Sequence, residues 1–208
     1  MSFPSSGPKR CWLGRLSSAC LHGTSDCRSL QYRVERRNLN FVDTMIELIN
    51  LHTPALASLD HPDRFQAQYR VSFELNTGMV HDLAIQTQKR LASGTADPKW
   101  CTYLAVDTDS RQVVGFCDFK GPPTKDNTVE ISYSTFLEFQ GHGYASDMVK
   151  ALIDIAFGES RVTKIIADTL PQRNASTRVL EKNGFRLVKE MDDASDGLVW
   201  RWGLEKGH

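Results

Sequence analysis

The stretch from Val129 to Phe185 leaves this chain few ways to fold. Val129 to Thr135 has the composition of a strand, and Phe139-Gln140-Gly141-His142-Gly143-Tyr144-Ala145 then turns the chain. Beyond the turn, Ala145, Met148, Val149, Leu152, Ile153 and Ala156 recur at helical spacing, while Ser146, Asp147, Lys150 and Asp154 take the other side. This predicts a helix to about Phe157 with one face on a sheet. Val162 to Thr169 follows as a strand, and strand, helix, strand favours a parallel pair joined by a right-handed crossover. Pro171 starts a loop, Asn174 or Ser176 caps a short helix, and Gly184 ends it where a left-handed residue is usual. Phe185 to Glu190 and Leu198 to Leu204 predict a terminal hairpin across Asp192 to Gly197.

Upstream, Cys101 to Asp107 and Gln112 to Lys120 flank Thr108-Asp109-Ser110-Arg111, a polar turn of hairpin length. A second reversal, Gly121-Pro122-Pro123 with Lys125-Asp126-Asn127, leads into Val129 and gives a three-strand meander. Gln31 to Arg36 reads as a short first strand. Asn40 to Ile49 reads as a helix, because Phe41, Met45, Leu48 and Ile49 fall on one face and Asp43 supports its first turn. Leu51 to Leu75 is interrupted by Pro54 and Pro62 and predicts a buried, irregular connection. Met79 to Leu91 is helical, ended by Gly94 and Pro98. Within Leu51 to Trp100, a candidate substrate wall, Tyr69, Phe73 and Trp100 either line the wall or pack in the core.

The 208 residues suit one domain at 31–208 preceded by an arm at 1–30. Met1 to Leu30 is rich in Ser and Gly and carries Lys9, Arg10, Arg15 and Arg28 against one acid, Asp26. A disordered arm, a start upstream of the physiological one and a transit-like segment all fit that composition. Lys plus Arg equals Asp plus Glu at 25 each, so no field draws the chain to nucleic acid or an anionic membrane. The five cysteines are odd in number and contain no Cys-x-x-Cys, so no disulfide framework or zinc site is indicated and no metal is expected. No apolar run approaches the roughly 20 residues of a membrane-spanning helix. A cytoplasmic monomer or homodimer is the expectation.

Glycines between a strand and a helix are often ordinary turn residues. They also suit phosphate. The first-turn amides of a helix have no internal partner, the peptide dipoles put partial positive charge there, and Gly141 and Gly143 carry no side chain to block the backbone.

Gln140-Gly141-His142-Gly143-Tyr144-Ala145 resembles the Gln/Arg-x-x-Gly-x-Gly/Ala signature of the GCN5-related N-acetyltransferases, and it lies between a strand and an amphipathic helix as in that family. Leu170-Pro171-Gln172-Arg173-Asn174-Ala175-Ser176-Thr177-Arg178-Val179-Leu180-Glu181-Lys182-Asn183-Gly184-Phe185 is similar to the second cofactor segment of the RimJ/RimL-like branch. The resemblance implies an α/β (α+β) acyl-CoA N-acyltransferase fold: a mixed, mostly antiparallel central sheet with a splayed parallel strand pair and flanking helices. It implies acetyl-CoA as donor, its pyrophosphate on the amides of Gln140, Gly141, His142, Gly143, Tyr144 and Ala145 with Ser146 just inside the helix. The pantetheine arm would pair with the main chain near Thr135 and Phe136, between the splayed strands.

Departures from the family pattern reassign roles. Arg173 stands where Asn is common, so Asn174 either contacts pantetheine or only caps its helix. Leu180 stands where many members have a Tyr that protonates the leaving thiolate, which leaves Ser176 as donor to the CoA sulfur or as a capping or first-turn serine. Leu137 replaces a common Pro. An alkyl ammonium titrates near 10.4 and a terminal amine near 8, so direct attack in a ternary complex calls for a base. Glu130 resembles a frequent acidic position of the branch, Asp118 is the second candidate, and a wet strand face explains either. His142 reads as a phosphate-loop side chain facing solvent. A main-chain amide of the splayed strand would support the oxyanion. The acceptor is a small-molecule amine, a protein N-terminus or a lysine; the alternative is a CoA-binding regulatory module without turnover.

Overall fold

The computed structural model describes residues 45–207 apart from 60, 74, 75, 95, 96 and 195. The expected arm, the strand Gln31 to Arg36 and the start of the helix Asn40 to Ile49 lie outside the described residues. Seven strands, β1 (Ile46–Asn50), β2 (Thr102–Asp107), β3 (Val113–Phe119), β4 (Thr128–Thr135), β5 (Lys164–Thr169), β6 (Arg186–Asp193) and β7 (Gly197–Glu205), form one sheet in the order β1-β2-β3-β4-β5-β7-β6. Every neighbouring pair is antiparallel except β4 and β5. The helices are α1 (Thr53–Leu59), α2 (Pro62–Tyr69), α3 (Thr77–Ala92), α4 (Tyr144–Phe157) and α5 (Ala175–Lys182).

Strand alternation sorts the core into two layers. Tyr103, Ala105, Val129, Ile131, Ile165 and Ala167 point to one face, where Met148, Val149, Leu152 and Ala156 of α4 and Leu180 of α5 meet them. Leu104, Val106 and Val113 point to the other, under α1, α2 and α3. Full burial of a side chain such as Leu152 is worth about 1.5–3 kcal/mol, so the predicted apolar stripe of α4 is what fastens the crossover to the sheet.

Two expectations are corrected. The predicted helix Asn40 to Ile49 does not persist into the described residues, where Ile46–Asn50 is strand β1, paired with β2 from Ile46↔Asp107 to Asn50↔Tyr103. Ile46 and Leu48 face the α4 layer while Ile49 and Leu51 face α1 to α3. A strand covered on both faces has no polar alternation, and its apolar run imitates helical spacing. The irregular connection Leu51 to Leu75 holds two helices, α1 and α2. Pro62 is the first residue of α2, where its missing amide is no loss, rather than a breaker. Tyr69, Phe73 and Trp100 are core residues, each under a tenth exposed.

Candidate active site

The parallel pairing of β4 with β5 runs only through Thr128↔Lys164, Val129↔Ile165 and Glu130↔Ile166. Both strands continue, to Thr135 and Thr169, so beyond Glu130 they diverge into a V. The Lys120 amide donates to the Glu130 carbonyl and the Phe136 amide to the Val114 carbonyl. Antiparallel alternation then turns the main chain of Ser132 and Ser134 toward β3 and that of Ile131, Tyr133 and Thr135 into the V. Thr135 Oγ1 is shut off from solvent with no hydrogen-bond partner among the described residues, an arrangement that costs about 1–3 kcal/mol unless a ligand supplies one.

At the mouth of the V the chain makes one turn of 3-10 helix, Leu137–Phe139, and reaches the glycine turn. Gly141 and Gly143 sit at φ of 82° and 93°, a left-handed conformation that other residues adopt at a cost. The Gly143 carbonyl accepts from the amides of both Ser146 and Asp147, which starts α4 abruptly. Consequently the five amides from Gly141 to Ala145 donate to no backbone carbonyl among the described residues. Gln140 Nε2 donates to the Thr135 carbonyl and fastens the loop to the end of β4. His142 is exposed, with Nδ1 beside the Phe139 carbonyl, and Tyr144 donates its hydroxyl to Asp107, so neither side chain acts as a base in the V.

Other predicted residues are placed differently. Phe136 has a buried side chain, and its main chain already bonds Val114 and Phe139. Ser146 is buried, its amide bonded to Gly143 and its Oγ accepting from Asn183 Nδ2, so it ties α4 to α5. Asn174 caps α5: its side chain accepts from the Thr177 amide while Thr177 Oγ1 accepts from the Asn174 amide. Ser176 follows in the first turn of α5. Its carbonyl accepts from the Tyr133 hydroxyl at 3.1 Å, across from β4 to α5. Arg173 is mostly exposed and pairs with Glu181, and Leu180 is fully buried.

Glu130 projects from the sheet face opposite α4, at the point where the V opens. Asp168 on β5 and Arg201 on β7 are on the same face, and Arg201 forms two bonds with Asp168, Nε to Oδ1 at 2.9 Å and Nη2 to Oδ2 at 2.6 Å. Glu130 lies 3.9 Å from the same guanidinium and so receives only a weak share of it. Burial, followed by the neighbouring Asp168 charge, raises the Glu130 carboxyl above the usual carboxylate range, with Arg201 and Lys120 opposing. Asp118 is committed elsewhere: Arg90 of α3 reaches both its oxygens, at 2.8 and 3.0 Å. Sequence reasoning missed Asp168, Arg201 and Tyr133. The period-2 alternation of β4 and β5 places Tyr133 and Asp168 beside the predicted parallel pair, and that signal was readable.

A family model for the acetyltransferase (GNAT) domain matches residues 46–186. The chain belongs to the GNAT acetyltransferase family. Curated relatives include the uncharacterized N-acetyltransferase p20 of Bacillus licheniformis, 26% identical over 58% of this chain and 64% of its own length. The uncharacterized N-acetyltransferase YjdG of Bacillus subtilis is 29% identical over 41% of this chain and 51% of its own. The match thus spans under two thirds of the length of either relative. Among solved structures, the Salmonella typhimurium acetyltransferase that modifies the N-terminal serine of ribosomal protein L7/L12 superposes with a TM-score of 0.56 at 16% identity, covering 79% of this chain and 96% of that one. Ribosomal-protein-S5-alanine acetyltransferase of Vibrio fischeri gives 0.53 at 16%, over 81% and 97%. The mixed sheet with one parallel pair is therefore the GNAT fold. GNAT members use acetyl-CoA, and this site fits it: free amides in a left-handed glycine turn for a pyrophosphate, and unpaired strand backbone with an orphaned hydroxyl for a peptide-like arm.

Proposed function

We propose that this GNAT protein is an acetyl-CoA-dependent N-acetyltransferase that acts on a primary amine by direct attack in a ternary complex. The observation that carries the reading is the V itself, which ends at Glu130 at its apex and opens on five free amides at its mouth. The amides of Gly141 to Ala145 hold the pyrophosphate, and the carbonyls of Ile131 and Tyr133 with the amide of Thr135 pair with the pantetheine arm. When bound, acetyl-CoA supplies the acetyl group as a thioester. The Tyr133 amide, past the last parallel pair, is available to a developing oxyanion. Glu130 takes the proton of the acceptor ammonium from the opposite face, and Ser176, in the first turn of α5, donates a hydrogen bond to the departing sulfur. A protein N-terminus, a lysine and a small-molecule amine all present the nucleophile this site needs.

Heat stability tests the donor. Acetyl-CoA at about 100 times its Kd should raise unfolding stability by about 2.7 kcal/mol, read as a higher Tm, whereas ATP and NAD at the same concentration should leave it unchanged. Equal protection by ATP would replace the reading with a general phosphate site. Gly143→Ala, forced to a φ of 93°, should weaken CoA binding about 10-fold by calorimetry, in keeping with a left-handed penalty of about 1–2 kcal/mol. Asp168→Asn removes a like charge and frees Arg201 to turn to Glu130. Both changes lower the Glu130 pKa, so the acid limb of the rate profile should move to lower pH.

A further inference from the structure

Beyond Glu130 no β4–β5 ladder holds the two walls of the thioester site together. The described hydrogen bond that crosses from this part of β4 to α5 is the one from the Tyr133 hydroxyl to the Ser176 carbonyl, at 3.1 Å. Tyr133 stands three residues past the last parallel pair, on the α4 and α5 side of the sheet, its ring packed against the main core. Ser176 is on the second residue of α5, directly behind the cap made by Asn174.

We infer that Tyr133 is a positioning residue for sulfur recognition: its hydroxyl clamps the first turn of α5 to the wall of the V and so fixes the Ser176 hydroxyl toward the CoA sulfur. The inference rests on the Ser176 reading given above. Tyr133 does not itself deliver the proton. Burial pushes its phenol above the ordinary value near 10, while a thiol such as that of cysteine titrates near 8.5, so transfer from the phenol to a thiolate runs uphill. A rigid ring anchored in the core is suited to holding a helix end in place instead. The backbone carbonyl it grips belongs to the same residue whose hydroxyl meets the sulfur, so loss of the clamp acts on one rotamer and one helix turn rather than on the whole cofactor.

The test is the preference for CoA over desulpho-CoA, which differ only at the sulfur, measured as a ratio of dissociation constants by calorimetry. Wild type should prefer CoA about 5-fold, the scale of one neutral hydrogen bond. Ser176→Ala should bring the ratio near 1. Tyr133→Phe, which keeps the ring, should do the same while binding desulpho-CoA as wild type does, and the double variant should go no further. A Tyr133→Phe protein that keeps the wild-type ratio while Ser176→Ala loses it overturns the clamp alone. A wild type that binds both ligands equally overturns the Ser176 reading and the clamp with it. Loss of desulpho-CoA affinity in Tyr133→Phe along with loss of CoA affinity assigns Tyr133 to general structure and overturns the clamp.

Discussion

Glu130→Gln is expected to lower kcat by about 10²–10⁴-fold with CoA affinity unchanged, the range for removing a positioned general base. The substitution keeps the shape of the side chain, and Glu130 stands at the apex of the V while the glycine turn is at its mouth, so the donor site has no reason to respond. Its pH dependence is more specific still. A base works only when ionised, so activity falls as pH drops through the Glu130 pKa. Burial and Asp168 raise that pKa, which places the acid limb above the ordinary carboxylate value of about 4.3. In Glu130→Gln the limb should disappear. A rate profile of unchanged shape would remove Glu130 from the mechanism.

The second large effect belongs to the frame of the V. Gly115→Ala should lower unfolding stability by about 2–3 kcal/mol in urea titrations with an unchanged m-value. Gly115 pairs with Thr135, and a Cβ there would lie 2.3 Å from the Ser134 carbonyl oxygen and 3.0 Å from Thr135 Cα. Those are backbone atoms, so β4 must move as a strand. Because Thr135 forms the mouth of the V and receives Gln140, weaker CoA binding should accompany the loss. Stability within about 0.5 kcal/mol of wild type, the scatter of an ordinary surface change, would show that β3 and β4 separate at little cost.

Legibility from sequence followed how local each cause was. The helix α4 was readable to within a residue or two because its apolar face, its glycine turn and Gly158 all act within the segment. The strand β1 was misread because its burial is decided by α4 on one face and by the α1 to α3 layer on the other, all of which lie outside the segment itself. Pro54 and Pro62 signal helix starts as well as interruptions, and only the tertiary setting distinguishes these. In the site, the glycine-turn amides were legible as orphans. Ser146 was not, since its partner Asn183 is 37 residues away and holds it between helices. The setting of Glu130 is likewise tertiary: Asp168 and Arg201 come from two other strands, and their mutual bonds leave Glu130 a raised carboxyl with little counter-charge. Asp118 looked equivalent in sequence. Arg90, from α3, makes it an ion-paired structural residue.

The most direct measurement of the central claim is release of free thiol from acetyl-CoA with a panel of primary amines: peptide N-termini, lysine, polyamines and aminoglycosides. The site described here predicts release that depends on the acceptor, saturates with it, and is lost in Glu130→Gln. Tight CoA binding with no acceptor-dependent release across the whole panel would contradict it and make the V a regulatory CoA site without turnover.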